Sequence, residues 1–422
     1  MSYTKPRGTE DWISPNSEHY RSLVDLLMLI ATLNGFHEIQ TPIFESRELF
    51  VRSVGKTSDI VTKEFYEFQD KSKRDLVLRP EGTAGVIRAV IEGKLINKSP
   101  APLKLCYTGP MFRYERPQSG RLRQFHQFGV ECINSNIVFD DIDVFMFAHA
   151  IIQTLGIEHH EICINNIGNF KSREAWINAL KAHFKGHEKE LSELSQTRLN
   201  TNPLRILDDK EDSKKDCVKK APKIDQFLTA DEKKDFSIIC NCLTTMNIKY
   251  KVDHTLVRGL DYYTNFVFEI NSTDARLSGQ PTLIGGGRYN NLVKEIGGPE
   301  CGCVGFATGI ERLLLALEYE KKELQPLKTI DVVIANLSST TLMTSIVLLA
   351  LLRSSGLSAI CKFDTFKLPK HFSYAESQKA KYVIILGEKE LKDQKLIIKN
   401  QKSLKQEIVA IDQMVAHIKD GR

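Results

Sequence analysis

Long hydrophobic runs are missing from this chain. Its longest uninterrupted apolar stretch, Ile346 to Leu352, falls far short of the roughly 20 residues a helix needs to cross a bilayer, so no membrane partner is expected. The opening residues, MSYTKPRGTEDW, hold no apolar core of the kind a secretory signal carries, and the expectation is a cytoplasmic protein. There is no G-x-x-x-x-G-K followed by Ser or Thr, which closes the P-loop route to a nucleotide. An even set of cysteines is lacking too: nine, without a signal, read as reduced thiols rather than a disulfide framework. Two close pairs, Cys240/Cys242 and Cys301/Cys303, are spaced C-x-C rather than the wider spacing of structural zinc, and no histidine cluster accompanies them. No structural metal is expected; Cys301 and Cys303 read as lining a strand beside glycines.

What is present suits a soluble protein of two or three domains: 422 residues, 42% of them hydrophobic. The net charge of +5 is unevenly placed. Residues 329–422 hold 14 Lys and Arg against 9 Asp and Glu, which accounts for the whole excess. A polyanion would be drawn to that end; plain solubility is the alternative. The mixed-charge segment EYEKKELQPLKT, with Pro326, reads as an interdomain connection, giving domains of 1–325 and 326–422.

In the first domain a helix over 17–34 closes at Gly35, strands follow through 133, and a helix occupies about 140–155. Strands return over 249–270 and 300–307 before a last helix after Gly309. This order predicts an α+β fold on a mainly antiparallel sheet with flanking helices. Residues 166–230, rich in Lys, Glu, Asp and Asn, read as a helical insertion, although their composition favours a solvated surface excursion. In the second domain DVVIANL, LSAICKF and KYVIILG alternate with helical stretches, predicting a small α/β unit with a mainly parallel sheet.

One stretch resists the bland reading of a charged loop. In RYERPQSGRLRQFHQFGVE, residues 113–131, Phe112 and Tyr114 alternate with Arg113 and Glu115, and Phe128 and Val130 alternate with Gln127, Gly129 and Glu131. That is the period of a strand on each side of a Pro-, Ser- and Gly-containing turn. Arg113, Glu115, Phe125, Gln127 and Glu131 can then share one sheet face, held by Tyr114, Phe128 and Val130 behind it. Three more stretches are as dense: RPEGTAG (79–85), LVRGLDYYTNFVFE (256–269) with Arg258, Asp261 and two tyrosines, and GFATGIERLLLALE (305–318). Each has an ordinary reading, Glu81 as a helix cap, Arg258 as a surface ion-pair partner, and Glu311 with Arg312 as the start of an amphipathic helix. GGGRYNN, 285–291, would ordinarily be a turn.

Taken together and in this order, these stretches resemble the bacterial-type histidyl-tRNA synthetases, class II aminoacyl-tRNA synthetases, over essentially the whole chain. The segment at 113–131 is similar to class II motif 2 and GFATGIER to motif 3; LVRGLDYY and GGGRYNN are similar to the two histidine signatures. HEIQTPIFE resembles the motif 1 region of the dimer interface, and RLNTNPLRILD a recurring stretch of the insertion. The resemblance implies ATP as substrate with Mg2+, L-histidine and histidine tRNA as partners, and a homodimer. It implies catalytic roles for Arg113, at the α-phosphate, and Arg258, at the reacting carboxylate and phosphate. Glu115 would meet the adenine amino group, Phe125 and Arg312 its two faces, and Arg121 the terminal phosphates. Glu81 and Thr83 would hold the histidine ammonium, Gln127 its carboxylate, and Glu131, Tyr263 and Tyr289 its ring. Arg116, Gln118 and Arg123 would face the tRNA acceptor end, and the basic second domain the anticodon. The competing reading is a non-enzymatic regulatory subunit of ATP phosphoribosyltransferase; a synthetase for threonine, proline or glycine is a third. The intact LVRGLDYY stretch and the second domain oppose the former, and the histidine signatures the latter.

Overall fold

The structure, a computed structural model, describes residues 3–55, 58, 60–207, 209, 211–258, 260, 262–324 and 330–420. Pro326 of the expected connection and Asp261 of the LVRGLDYY stretch lie outside these. The chain divides into two compact units, one through Leu324 and one from Gln325.

The first unit begins with α1 (Asn16–Leu33), whose Leu23, Val24, Leu27, Ile30 and Ala31 recur at helical spacing and are all buried. Gly35, at φ +76°, turns the chain into β1 (His37–Glu38). A small antiparallel sheet follows, β2 (Phe44–Ser46), β3 (Glu67–Gln69) and β4 (Asp75–Leu78), with α2 (Arg47–Val54) beside it. Then come α3 (Thr83–Glu92), α4 (Leu95–Lys98), the long strands β5 (Leu103–Phe112) and β6 (Gln124–Ile133), α5 (Phe139–Leu155) and β7 (His160–Asn166). Four helices form the insertion, α6 (Phe170–Lys185), α7 (Glu193–Thr201), α8 (Leu204–Leu207) and α9 (Asp216–Lys219), followed by α10 (Ala230–Thr245). The unit closes with β8 (Lys251–Val252), β9 (Thr264–Ser272), β10 (Thr282–Arg288), α11 (Leu292–Glu295), β11 (Cys303–Gly309) and α12 (Ile310–Tyr319).

Eight of these strands make one sheet, ordered β1-β5-β6-β11-β10-β9-β7-β8. Its pairs are antiparallel except β1 with β5 and β7 with β8, as expected of the α+β class. On one face Phe128, Val130 and Cys132 of β6 join Phe266, Phe268 and Phe306 beneath α1, α5 and α12. The odd positions of β6 point the other way, so the predicted period of two holds there.

It does not hold at the near side. β5 ends at Phe112, and the Tyr114 amide donates out of the sheet to Glu64 O at 2.7 Å. Tyr114 is 53% exposed, with Arg123 stacked on its ring at 4.0 Å. It does not back the site as predicted. The strands expected over 249–270 are two, and between β8 and β9 the described residues of 253–263 belong to no strand. The insertion departs from its composition. Trp176, Leu180, Phe184, Leu199, Ile206 and Val218 build a core of their own, and Glu232 ties its root by accepting from Asn169 N, Thr229 N and the Ser172 hydroxyl. The charged residues simply occupy the helices' outer faces.

The second unit holds a five-stranded sheet of β12 (Val332–Asn336), β13 (Ala359–Cys361), β14 (Tyr382–Leu386), β15 (Lys395–Asn400) and β16 (Gln406–Ala410), in the order β13-β12-β14-β15-β16. β12 is parallel to both neighbours, but β14, β15 and β16 pair antiparallel. The sheet is half parallel rather than mainly so, because a final hairpin, whose strands hold apolar stretches of three residues at most beside polar ones, adds two antiparallel pairs.

Candidate active site

The face of the large sheet opposite α1, α5 and α12 carries a cleft of about 560 Å³. Every element of the sheet's centre contributes. From the start of α3 come Glu81 and Thr83; from the join after β5, Arg113, Glu115 and Arg121; from β6, Phe125, Gln127 and Glu131; from the loop before β9, Arg258 and Tyr263; from β10 and its exit, Gly285 and Tyr289; and Arg312 from the first turn of α12. All twelve residues predicted to touch ATP or histidine therefore line one cavity. Of the three predicted for tRNA, Arg116 and Gln118 are exposed outside it. Arg123 is half-buried, holding the join closed: its Nε donates to Glu115 O at 3.1 Å and its amide to Gly8 O at 2.7 Å.

One end of the cleft is cationic. The Arg113 guanidinium lies over the Phe125 ring, 5.3 Å from its centroid, and donates to Pro80 O at 2.9 Å. Arg312 donates to Gly120 O, Thr282 O and Gln280 Oε1 at 3.0–3.1 Å. Burial, with Arg113 and Arg121 beside it, pushes Arg312 down to about 10. Arg121 pairs with Glu115. Three guanidiniums held this close repel one another unless an anion joins them, and planar guanidiniums suit phosphate.

The other end is a closed polar cup. Glu131, 1% exposed, accepts from the Thr83 hydroxyl at 2.6 Å and from the Tyr289 hydroxyl. Burial pushes its carboxyl up to about 8, against the pull of those two hydrogen bonds. Glu81 accepts from the amides of Thr83 and Ala84 at 2.6 and 2.9 Å. It thus caps α3, the ordinary reading of this residue, and faces the cleft as well. The Gln127 amide oxygen is buried with no partner among the described residues, a polar group that a ligand would satisfy.

Arg258 joins the two ends. It pairs with Glu269 and lies 5.5 Å from the Tyr263 ring centroid; the ion pair is half-buried in the cleft, not the surface pair considered from sequence. Its backbone is left-handed, φ +65°, a conformation that costs a non-glycine residue about 1–3 kcal/mol and that surrounding structure must enforce. Gly285 is the reason its side chain fits. A Cβ there would overlap the guanidinium, so the glycine run is not a turn but strand β10, left bare where an arginine crosses it.

Some contributors were not singled out in the sequence. The Tyr107 ring is threaded between Gly82 and Gly129, where either glycine's Cβ would strike it, and Glu131 and Thr83 lie beside it. Glycine in mid-strand at 129 was the available signal. From the insertion, Arg198, Asn202 and Arg205 also line the cleft; they fall within the RLNTNPLRILD stretch but carry no local motif for a ligand.

A cleft that sets phosphate-seeking arginines and a base-sized aromatic ring against a closed polar cup fits an enzyme that activates a small polar molecule with a nucleotide. Residues 8–313 match the family model described as histidyl-tRNA synthetase, and residues 331–421 that described as anticodon binding domain. The histidine–tRNA ligase of Malacoplasma penetrans is 45% identical over 421 residues, 100% of this chain and 99% of that one. That of Bacillus subtilis is 42% identical over 415 residues, 98% of each. The crystal structure of apo S. aureus histidyl-tRNA synthetase superposes with a TM-score of 0.83 at 36% identity, covering 99% of this chain and 100% of that one. The class is thus an aminoacyl-tRNA synthetase, a ligase. Within it, the chain belongs to the histidyl-tRNA synthetase family. It activates L-histidine with ATP to histidyl-adenylate and transfers the histidine to the 3′ end of histidine tRNA; the ligase names of these relatives favour this over the regulatory-subunit reading.

Proposed function

We propose that the cleft carries out both steps with each residue in the role its chemistry suits, on a class II catalytic unit. Phe125 and Arg312 sandwich the adenine, Glu115 accepts from its amino group, and Arg121 leaves Glu115 to meet the terminal phosphates. Glu81 and Thr83 accept from the histidine ammonium. Gln127 turns its amide toward the histidine carboxylate, and Glu131, Tyr263 and Tyr289 close on the imidazole. The histidine carboxylate oxygen then attacks the α-phosphorus and pyrophosphate leaves. Two anions must meet for this, so the step needs cations aimed at the charge that develops. Arg113 supplies one from the phosphate side and Arg258 the other, trading Glu269 for substrate. In the second step a tRNA ribose hydroxyl attacks the carbonyl carbon and AMP departs.

Mg2+ would accompany ATP. It needs only one or two protein carboxylates beside phosphate and water oxygens, and no group of three potential ligands gathers among the described residues. Glu311, whose carboxylate already accepts from His126 N and Nδ1 yet keeps free lone pairs, would hold it beside Arg312. The ion would offset the charge of the leaving pyrophosphate.

Around this centre, the 326–422 domain meets the anticodon, and Arg116, Gln118 and Arg123 meet the acceptor end. The protein acts in the cytoplasm as a homodimer; the exposed Ile43, Phe44 and Phe68 near the HEIQTPIFE stretch suit a covered face. The observation that carries the reading is the Glu131 cup, a buried acid with two hydroxyl donors, sharing a cleft with Arg113 and Arg258. Glu131→Gln tests it. The expected result is a histidine KM raised ~10–100-fold in ATP–pyrophosphate exchange, the cost of leaving a buried polar group without its partner, with ATP KM unmoved. An unchanged histidine KM removes Glu131 from recognition.

A further inference from the structure

Where β10 and β11 leave the sheet, two thiols meet beneath the polar cup. Cys303 opens β11 and is fully buried, whereas Cys301 is 9% exposed at the end of a largely exposed turn, residues 297–300. Their sulfurs are 4.0 Å apart. The hydrogen bond from Cys303 holds the Cys301 thiol below the usual thiol range, which favours thiolate, the reactive form. Burial instead pushes Cys106 and Cys361 up to about 11 and Cys132 and Cys163 up to about 12. The pair is also wired to the cup. The Tyr289 amide donates to Cys303 O at 2.8 Å, the Cys303 amide to Asn290 Oδ1 at 3.3 Å, and the Tyr289 hydroxyl to Glu131. At Gly302, between the cysteines, a Cβ would strike Ser135 O and the buried Arg288 guanidinium.

We propose that Cys301 and Cys303 are a redox modification site, closing to a disulfide under a hydroperoxide and thereby loosening the histidine pocket through Tyr289. The second half rests on the assignment of Glu131 and Tyr289 to histidine. The Cys301 thiolate attacks one oxygen of hydrogen peroxide; the O–O bond breaks, hydroxide leaves and takes up a proton, and Cys301 becomes a sulfenic acid. The Cys303 sulfur then attacks the Cys301 sulfur, the S–O bond breaks, and the hydroxyl departs as water with the thiol proton. Two thiols lose two electrons and one peroxide becomes two waters. The sulfurs must close by about 2 Å to reach bonding distance. Residues two apart on an extended strand stand about 6.6 Å apart at Cα, against the 5.5–6 Å or so that a disulfide prefers. That separation is within a disulfide's reach but wide of its preference, so closure would strain the entry to β11 at Gly302 and draw on Tyr289, hydrogen-bonded to Cys303.

The test treats the intact protein at pH 7.5 with hydrogen peroxide, blocks remaining thiols, and maps the tryptic peptide 295–312, in which these are the only cysteines. The expected peptide is lighter by two hydrogens and unblocked. Histidine KM in pyrophosphate exchange should rise ~10-fold, return with dithiothreitol, and leave ATP KM unmoved. Cys301→Ser should start with an ordinary histidine KM and not respond; Cys303→Ala, should it fold, likewise. A blocked or over-oxidised peptide, a disulfide with no change in histidine KM, or an equal response from Cys301→Ser would overturn the proposal. Failure of the pocket assignment shows separately, as an unaltered histidine KM in Glu131→Gln, and leaves the peptide map untouched.

Discussion

At the scale of residues, the proposed chemistry rests on two half-buried guanidiniums and one buried acid. Arg258→Lys keeps the charge but loses the fork that spans carboxylate and phosphate. Histidine-dependent pyrophosphate exchange should fall by roughly 10²–10³, the usual cost of one preorganised donor, while the circular dichroism spectrum is kept; an unchanged rate would place the developing charge elsewhere. Glu131 makes a prediction about stability. With its folded pKa near 8 and an unfolded value near 4.5, the native state holds a proton that the unfolded chain releases between those pH values. Its contribution to stability is complete below about 4.5 and is lost as pH rises toward 8. Glu131→Gln should therefore narrow the difference in Tm between pH 5 and pH 8, and an unaltered difference would mean the acid is already ionised when folded. These residues were legible in the sequence because each motif is locally dense in unusual side chains. Tyr107 was not, since an isolated tyrosine in a strand has an ordinary packing role, and only the tertiary contacts with Gly82 and Gly129 set it beside Glu131.

At the scale of elements, strand register decides what the cleft contains. The odd positions of β6 face the site and the even ones the core, so a slip of one residue would exchange them. That much followed from the alternation at 125–131. What the alternation could not reveal is where β5 stops, because a chain leaving a sheet at Phe112 can carry Arg113 and Glu115 into the same cleft without being a strand. The glycines of β10 and β11 offer a sharp comparison. Gly285→Ala would press only on the far end of the Arg258 side chain, which can swing away. Exchange activity should drop roughly 10²-fold, as misplacement of a positioned group does, with Tm nearly kept. Gly305→Ala would press on Val130 O and the Glu131 carboxylate; backbone cannot yield, and about 1–3 kcal/mol of stability should be lost in chemical denaturation. Equal effects of the two on Tm would contradict this division.

At the scale of the whole molecule, the proposed function divides the reaction between the two units. The excess positive charge of the chain lies in residues 329–422, where a polyanion is attracted, and deleting 326–422 should weaken tRNA charging far more than adenylate formation. Equal losses would mean that this unit supports the catalytic one instead. The insertion shows the limit of composition as a guide: a 166–230 segment rich in charge still buries Trp176 and Phe184, because helical spacing, not overall polarity, determines whether a face can be hidden. The final hairpin of the second unit escaped for the converse reason, its strands being too polar to advertise themselves. In the proposed mechanism one cleft reads histidine with Glu131 and activates it with Arg113 and Arg258. Its most direct measurement is ATP–pyrophosphate exchange with each amino acid in turn, on the native protein and on Glu131→Gln. Exchange should respond to histidine alone and collapse toward background at limiting histidine in the variant; an equal response to threonine or proline, or a variant as responsive to histidine as the native protein, would contradict it.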